Sequence, residues 1–181
     1  MCRVSTPLTR RAVLRGGLVI TAGTVAASVV AACDRGPTPE QVTAAALVPL
    51  ADSALADQYA AQQLSPQSAE YSAALGVVAT QRGDHARALR EEITRLDQET
   101  ANRITDPAVA STSASASVAP GATSTSPAPA PAPTTVSALR TQLTASARAA
   151  GDAAVSLNGY PAGLAGSIGA SVTSMVEVQL G

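Results

Sequence analysis

Hydrophobic residues recur at steps of three and four in four stretches of the chain, which is the spacing of one face of an α-helix. The clearest stretch predicts a helix from Gln67 to about Ile104. Two polar residues, Arg82 and His85, interrupt its otherwise apolar face. That face comprises Tyr71, Leu75, Val78, Arg82, His85, Leu89, Ile93 and Leu96. On the opposite, charged face the spacing predicts ion pairs four residues apart, Arg87 with Glu91 and Glu91 with Arg95.

A second helix is predicted before this one, from Glu40 to about Leu64. Thr38 and Pro39 mark its start, Pro49 is expected to kink it, and Ser65-Pro66 ends it and caps the helix that follows. Its expected buried face comprises Val42, Ala46, Leu50, Ala54, Ala61 and Leu64.

The C-terminal part of the chain predicts two more helices, separated by Asn158-Gly159, which tolerate positive φ. The third helix spans Val136 to about Leu157, and the fourth starts around Pro161 and runs nearly to Gly181. The expected face of the third is Leu139, Leu143, Ala147, Ala150, Ala154 and Leu157. The face of the fourth is Leu164, Ile168, Val172, Met175 and Val176.

Between the two helical regions, residues 105–135 are almost entirely Ser, Thr, Ala and Pro, with no charge after Asp106. Such a segment cannot bury enough apolar surface to offset its ordering entropy, so a disordered crossover linker is predicted, with O-linked sugars as an option. Residues 40–104 and 136–181 then form two helical hairpins that pack as one domain. The predicted fold class is all-α, a four-helix bundle. The bundle is expected to be ferritin-like, because ferritin-like bundles also place their long connection between the second and third helices.

The composition supports an all-α fold built from closely packed helices, because apolar residues make up 46% of the chain and aromatic residues only 2%. Residues 1–32 contain four of the 12 basic residues and no acid. The remainder therefore has eight Arg against 13 acids, a net charge of about −5. Such a surface repels phosphate backbones, which argues against nucleic acid as a partner.

The N-terminus resembles an export signal. Residues 9–15, TRRAVLR, are similar to the twin-arginine consensus, and residues 16–32 are an uncharged run rich in Gly, Ala and Thr. The run ends in VAAC at residues 30–33, which resembles a lipobox, so residues 1–32 are predicted to be a cleaved signal and Cys33 the lipid-modified residue, followed by a tether at 33–39. The alternatives are an uncleaved N-terminal membrane anchor and a plain cleaved signal. Each places the body outside the cytoplasmic membrane, and lipidation places it on the outer face, in the cell envelope.

A family resemblance rests on residues 75–90, LGVVATQRGDHARALR, within residues 54–96, and on residues 148–168. These stretches resemble alanine-rich exported actinobacterial proteins described as conserved transmembrane proteins or lipoproteins, which are similar to ferritin-like four-helix domains. The resemblance implies a fold and a location, and it implies no reaction.

The ferritin-like fold would suggest a di-iron site, which needs two Glu and two Glu-x-x-His motifs. This chain has one His, and Arg82 stands three residues before His85 where the motif needs a Glu. The site is therefore expected to be absent, so the fold is a degenerate one with no metal or cofactor. Arg82 and His85 are expected to pair with acids of the first helix, Asp52 or Asp57, or else to contact a small ligand.

No nucleophile or phosphate-binding motif is found, so an enzyme is not predicted. The first hypothesis is a non-catalytic envelope lipoprotein whose helical bundle binds an unknown protein or ligand. The alternatives are a ferritin-like metal-dependent enzyme or metal-binding protein that borrows ligands from a second chain, a single-pass membrane-anchored structural protein, and a glycosylated spacer.

Overall fold

The computed structural model describes residues 36–109 and 132–181, and all regular secondary structure within those ranges is helical. This confirms the predicted all-α class. The predicted signal, Cys33, the first part of the tether and most of the linker lie outside the described residues. None of the helices in the two described ranges is long and apolar enough to cross a bilayer.

The first long helix, α1, spans Pro39–Leu64 and agrees closely with the predicted 40–64. Thr38 caps it through a capping box, in which its hydroxyl accepts from Gln41 N and the Gln41 side chain accepts from Thr38 N. The helix continues through Pro49, whose side chain is exposed. Two members of the expected face are wrong, because Val42 and Ala46 are exposed. The residues that α1 buries are Ala44, Leu47, Val48, Leu50, Ala51, Ala54, Asp57, Ala60, Ala61 and Leu64.

The second long helix, α2, spans Ser72–Leu96 and is shorter at both ends than the predicted 67–104. Short 3₁₀ turns at Ser65–Gln67 and Ala69–Tyr71 occupy the expected start. At the other end Asp97 adopts an extended conformation, and its carboxylate accepts from Thr100 N at 2.8 Å. Asp97 thereby caps a separate short helix, α3, at Gln98–Ala101, because an aspartate satisfies the free amides at a helix start better than it continues a helix.

The buried face of α2 follows the predicted stripe. Leu75, Val78, Arg82, Leu89 and Ile93 are buried, while Tyr71, His85 and Leu96 are partly buried. The predicted ion pairs on the outer face are wrong, since the pairs form at a spacing of three. Arg87 binds Asp84, and Arg95 binds Glu92.

The C-terminal hairpin consists of α4, Val136–Ser156, and α5, Gly159–Ser174, which continues as a π-helical segment at Met175–Gln179. Gly159 has a φ of 64°, so the predicted turn requires the conformational freedom of glycine there. Along the hairpin the two helices approach closely. A Cβ added at Gly169 would lie 3.2 Å from the Ala147 carbonyl oxygen.

The directions of the four long helices follow from their contacts. Ser65 meets Ser72, and Asp57 meets Arg82, so α1 and α2 are antiparallel. Helices α4 and α5 are antiparallel as well, because Gly166 of α5 lies against Ala154 of α4 while the later Gly169 lies against the earlier Ala147. Helices α2 and α5 are also antiparallel, because Tyr160 lies near Arg95 whereas Ser174 and Val178 lie near Gln81. Helix α4 therefore runs opposite to α1, and the order is up, down, down, up.

Candidate functional site

A buried polar cluster lies where α1, α2 and α4 meet. Its centre is the carboxylate of Asp57, which is 0% exposed, beside the guanidinium of Arg82, which is 1% exposed. Arg82 Nη2 lies 2.7 Å from Asp57 Oδ2. Of the two acids considered from the sequence, Asp57 is thus the one that Arg82 contacts, while Asp52 accepts a hydrogen bond from Thr105 N.

Helix α4 completes the cluster with two residues that the sequence analysis missed. Gln142 Nε2 donates to Asp57 Oδ1 at 2.7 Å, and Ser146 Oγ donates to Asp57 Oδ2 at 2.9 Å. The sequence held a signal for Ser146, since it stands three residues after Leu143 and therefore lies on the buried side of α4. Arg82 is likewise a polar residue at helical spacing from apolar ones on α2. Both oxygens of Asp57 therefore accept hydrogen bonds, and a single carboxylate links three helices.

His85 lies one helical turn beyond Arg82 and is held by it. Arg82 Nη1 stands 3.3 Å from His85 Nδ1. No carboxylate in the described part of the chain hydrogen bonds to this imidazole, so the expected pairing of His85 with Asp52 or Asp57 is wrong. Burial, followed by the positive charge of Arg82, lowers the pKa of His85 to about 4, and the charge of Asp84 partly opposes the shift.

Arg82 is the most deeply buried charged group on α2. Burial lowers the pKa of its guanidinium from the ordinary value, while the negative charge of Asp57 and the hydrogen bond that Arg82 donates to it oppose that shift. The guanidinium stays protonated, as arginine does in proteins. Its Nε is also buried, and this nitrogen has no hydrogen-bond partner in the described ranges.

The residues of this cluster do not fit a di-metal centre. A metal ion would need the Asp57 oxygens as ligands, and these already accept from Arg82, Gln142 and Ser146. The positive charge beside the Asp57 carboxylate is supplied by the guanidinium of Arg82, which cannot itself bind a metal ion. His85 Nδ1 faces that same guanidinium. Elsewhere in residues 36–109 and 132–181, no three His, Cys, Asp or Glu side chains come together as a metal-binding group.

Comparison with known proteins finds no matching family model, no similar curated protein and no solved structure of similar fold. The site has to be interpreted from its own geometry.

Two grooves lie where α2 meets α5 and its π-helical continuation. One groove, of about 580 Å³, lies between Tyr160 and the α2 residues Ala88, Glu91, Glu92 and Arg95. A second, of about 170 Å³, is lined by Gln81 of α2 together with Ser171, Ser174, Met175, Val178 and Gln179. We call the strip formed by these two grooves the α2–α5 seam.

His85 lines neither groove, but it shares a helical face with one lining residue of each. It follows Gln81 by four residues and precedes Ala88 by three, and residues at those spacings share one face of a helix. The seam has an exposed apolar side chain at each end, Tyr160 at 66% and Val178 at 73% exposure. The seam therefore combines open space with exposed apolar groups, which the buried cluster does not.

Charge along the seam is confined to one end. Glu92 is buried, and both of its oxygens are engaged by Arg95, whose Nε and Nη2 donate at 2.7 and 2.6 Å. The hydrogen bonds to Glu92 are the largest cause that raises the pKa of Arg95. The centre and the other end are lined by uncharged residues, so the seam has no concentration of charge of one sign.

Proposed function

We propose that this chain is a non-catalytic lipoprotein of the cell envelope, anchored through Cys33 to the outer face of the cytoplasmic membrane, whose helical body binds a ligand or partner along the α2–α5 seam. The observation that carries the binding role is the position of His85. It contacts Arg82, is partly exposed and shares a helical face with Gln81 and Ala88, each of which lines a groove, whereas Asp57 and Arg82 are enclosed.

The body is proposed to be a degenerate ferritin-like four-helix bundle. The order up, down, down, up, with the long connection between the second and third long helices, supports this assignment. In a ferritin-like protein the centre of the bundle holds metal ligands. In this chain Asp57, Arg82, Gln142 and Ser146 form a closed set of hydrogen bonds at the junction of three helices.

A non-catalytic role is supported by the state of these groups. The Asp57 carboxylate accepts three hydrogen-bonding contacts, so neither of its oxygens is available as a base. The carboxylate of Glu92 is likewise held by two donors of Arg95. His85 is the titratable group of the cluster that is partly exposed, and within the described ranges it hydrogen bonds to no hydroxyl or thiol.

Anchorage rests on the sequence. The twin-arginine-like segment at residues 9–15 and the VAAC segment at residues 30–33 together support export followed by lipid attachment to the Cys33 thiol. Two or three acyl chains would hold the protein stably at a membrane, which a single chain does not.

Labelled palmitate incorporation in a twin-arginine-competent bacterial host tests the anchor. We expect label in the wild-type chain and in Cys2→Ala, and none in Cys33→Ala. Mass spectrometry of the mature protein should place its N-terminus at Cys33. Label that persists in Cys33→Ala, or a mature chain that retains residues 1–32, would contradict lipidation and favour the uncleaved anchor.

Metal analysis of the purified mature protein tests the main alternative. We expect iron and manganese far below one ion per chain, because the donor set at Asp57 is already occupied. Near-stoichiometric iron or manganese that survives dialysis would contradict the non-catalytic proposal and favour the metal-dependent one.

A further inference from the structure

The turn between α4 and α5 presents an asparagine followed directly by a glycine. Asn158 and Gly159 are both exposed, and so is Tyr160 after them. Gly159 has a φ of 64°, and no neighbouring atom in the described ranges lies within 4 Å of the position that a Cβ would occupy there. Because glycine has no Cβ, nothing on that residue hinders the Asn158 side chain from approaching the peptide bond that joins the two residues.

The side-chain amide of Asn158 is not engaged. Asn158 stands immediately before α5, where a short polar side chain ordinarily accepts from a free amide of the helix. Thr38, Asp97 and Thr135 do so at the starts of α1, α3 and α4. The Asn158 side chain forms no such cap, and within the described ranges it hydrogen bonds to no other group. Its carbonyl carbon, Cγ, is therefore open to attack.

The backbone N–H of Gly159 is also free. It is the first amide of α5, and the first amides of a helix have no acceptor inside the helix. No other backbone carbonyl in the described part of the chain accepts from it. The start of a helix carries a positive potential, which favours the negatively charged nitrogen left when this proton is removed. A nucleophile and an electrophilic carbon thus stand on adjacent residues, and neither is held by a hydrogen bond.

The second asparagine of the chain provides an internal contrast. Asn102 is exposed like Asn158, but it precedes an arginine, whose Cβ crowds the same approach. The backbone nitrogen of Arg103 already donates to the Thr100 carbonyl oxygen at 3.0 Å. The nitrogen that would have to attack the Asn102 side chain is therefore occupied as well as hindered.

We propose that Asn158 is a site of spontaneous deamidation, in which the backbone nitrogen of Gly159 attacks the Asn158 side-chain carbonyl carbon. A carbon–nitrogen bond forms between these atoms, the bond from that carbon to the side-chain nitrogen breaks, and ammonia leaves with the proton taken from the Gly159 N–H. The product is a five-membered succinimide. Water then adds to one of its two carbonyl carbons and breaks the bond from that carbon to the ring nitrogen, which leaves an aspartyl or an isoaspartyl residue at position 158.

The reaction places a negative charge at the start of α5. In the aspartyl form the carboxylate can accept from the helix amides that the Asn158 side chain leaves unsatisfied, and the helix N-terminus stabilises its charge. In the isoaspartyl form the backbone of the turn is one methylene longer. The new charge stands two residues before Tyr160, which lines a groove with Glu91, Glu92 and Arg95. Both products therefore change the Tyr160 end of the α2–α5 seam as a molecule ages.

Mass spectrometry of the purified protein tests the proposal. Cleavage after arginine places the two asparagines on different peptides, residues 96–103 and 149–181. After incubation at pH 8.5 we expect peptide 149–181 to gain about 1 Da at position 158, at least about tenfold faster than peptide 96–103 gains it. In water enriched in ¹⁸O the gain should be larger by about 2 Da, because the added oxygen comes from solvent. Equal rates for the two asparagines, or a product without solvent oxygen, would overturn the proposal.

A second rate shows whether the folded turn permits the attack. The chain unfolded in urea is the reference for an unrestrained pair of asparagine and glycine. We expect the folded chain to react at a rate within about tenfold of this reference, because both reacting groups are free in the fold. A folded chain that reacts more slowly than that would overturn the proposal.

Gly159→Ala and Asn158→Gln are the matched variants. Alanine adds the Cβ that glycine lacks, so we expect reaction at position 158 to slow at least about tenfold. This holds in the folded chain and also in urea, where the strain of alanine at a φ of 64° has no effect. Glutamine would have to close a six-membered ring, so we expect no measurable release of ammonia from that position. Reaction at the wild-type rate in either variant would overturn the proposal.

Discussion

Arg82 donates to the imidazole of His85 from three residues earlier in α2, at 3.3 Å, while its other terminal nitrogen binds Asp57 of α1 at 2.7 Å. One guanidinium thus joins a fully enclosed carboxylate to a partly exposed ring. The contribution of this arrangement to stability can be measured separately from its contribution to binding.

Arg82→Met is expected to destabilise the protein by about 3–5 kcal/mol, because it leaves the Asp57 carboxylate buried without a counter-ion. The double variant Asp57→Leu with Arg82→Met should recover part of that loss, since a buried ion pair replaced by apolar groups is often close to neutral, although Gln142 and Ser146 then lose their acceptor. Urea denaturation at pH 7 measures both. A double variant less stable than Arg82→Met alone would contradict this account.

The free energy of unfolding should decrease as the pH falls from about 6.5 towards 4, because the pKa of His85 is lower in the folded chain than in the unfolded one. The pKa of His85 is about 4 in the folded chain and near the ordinary 6.5 once unfolded, so between these values the unfolded chain binds a proton that the folded chain does not. The stabilisation is complete above about pH 6.5 and is lost towards pH 4. After allowance for solvent screening of a partly exposed ring, the loss is about 1–2 kcal/mol.

The control for this pH dependence is His85→Asn, which cannot titrate. The unfolding free energy of the wild type minus that of the variant, measured by urea denaturation from pH 7.5 to pH 4.5, should decrease steadily as the pH falls. Parallel curves for the two proteins would show that His85 titrates in the same way in both states.

Gly169→Ala is expected to destabilise the protein by about 1–3 kcal/mol through overpacking. Its Cβ would lie 3.2 Å from the backbone oxygen of Ala147 and 3.5 Å from the Ala150 Cβ, so α4 and α5 would have to separate. Gly163→Ala is the matched control on α5. Nothing lies within 4 Å of its Cβ, and we expect a gain of about 0.5–1 kcal/mol from helix propensity. Thermal denaturation of both variants should therefore shift in opposite directions.

Gly159→Ala is expected to cost about 1–2 kcal/mol, because its φ of 64° is strained for a residue with a Cβ. No neighbouring atom lies within 4 Å of the added Cβ, so the loss has a backbone origin. Gly159→Asn should lose less, since asparagine tolerates this conformation better. Equal losses for the two variants in urea denaturation would point to a steric cause instead.

Periodicity predicted the buried face of α2 well because leucine, isoleucine and valine there alternate with charged or polar residues, but it placed both ends of that helix too far out. It misplaced part of the buried face of α1, where alanine occupies several faces and gives little contrast between inside and outside. Leu47 and Val48 determine which face is buried, and Val42 is left exposed.

The candidate site was only half visible in the sequence. Arg82 and His85 stood out as polar residues on an apolar stripe, but the same pattern cannot choose between Asp52 and Asp57 as partner, because that choice depends on how α1 is rotated against α2. The contribution of Gln142 depends on the packing of two hairpins that are distant in the chain. Tyr160 likewise reaches the seam only through the antiparallel arrangement of α2 and α5.

Asp57 hydrogen bonds to residues 85 and 89 positions later in the chain. Contacts over such separations form late in folding, since the entropy of closing the intervening loop has to be lost before they contribute. The N-terminal hairpin can place Arg82 against Asp57 by itself, and Gln142 and Ser146 join only when the second hairpin docks. Substitution of Asp57 should therefore lower the rate at which the two hairpins dock more than the rate at which either hairpin forms.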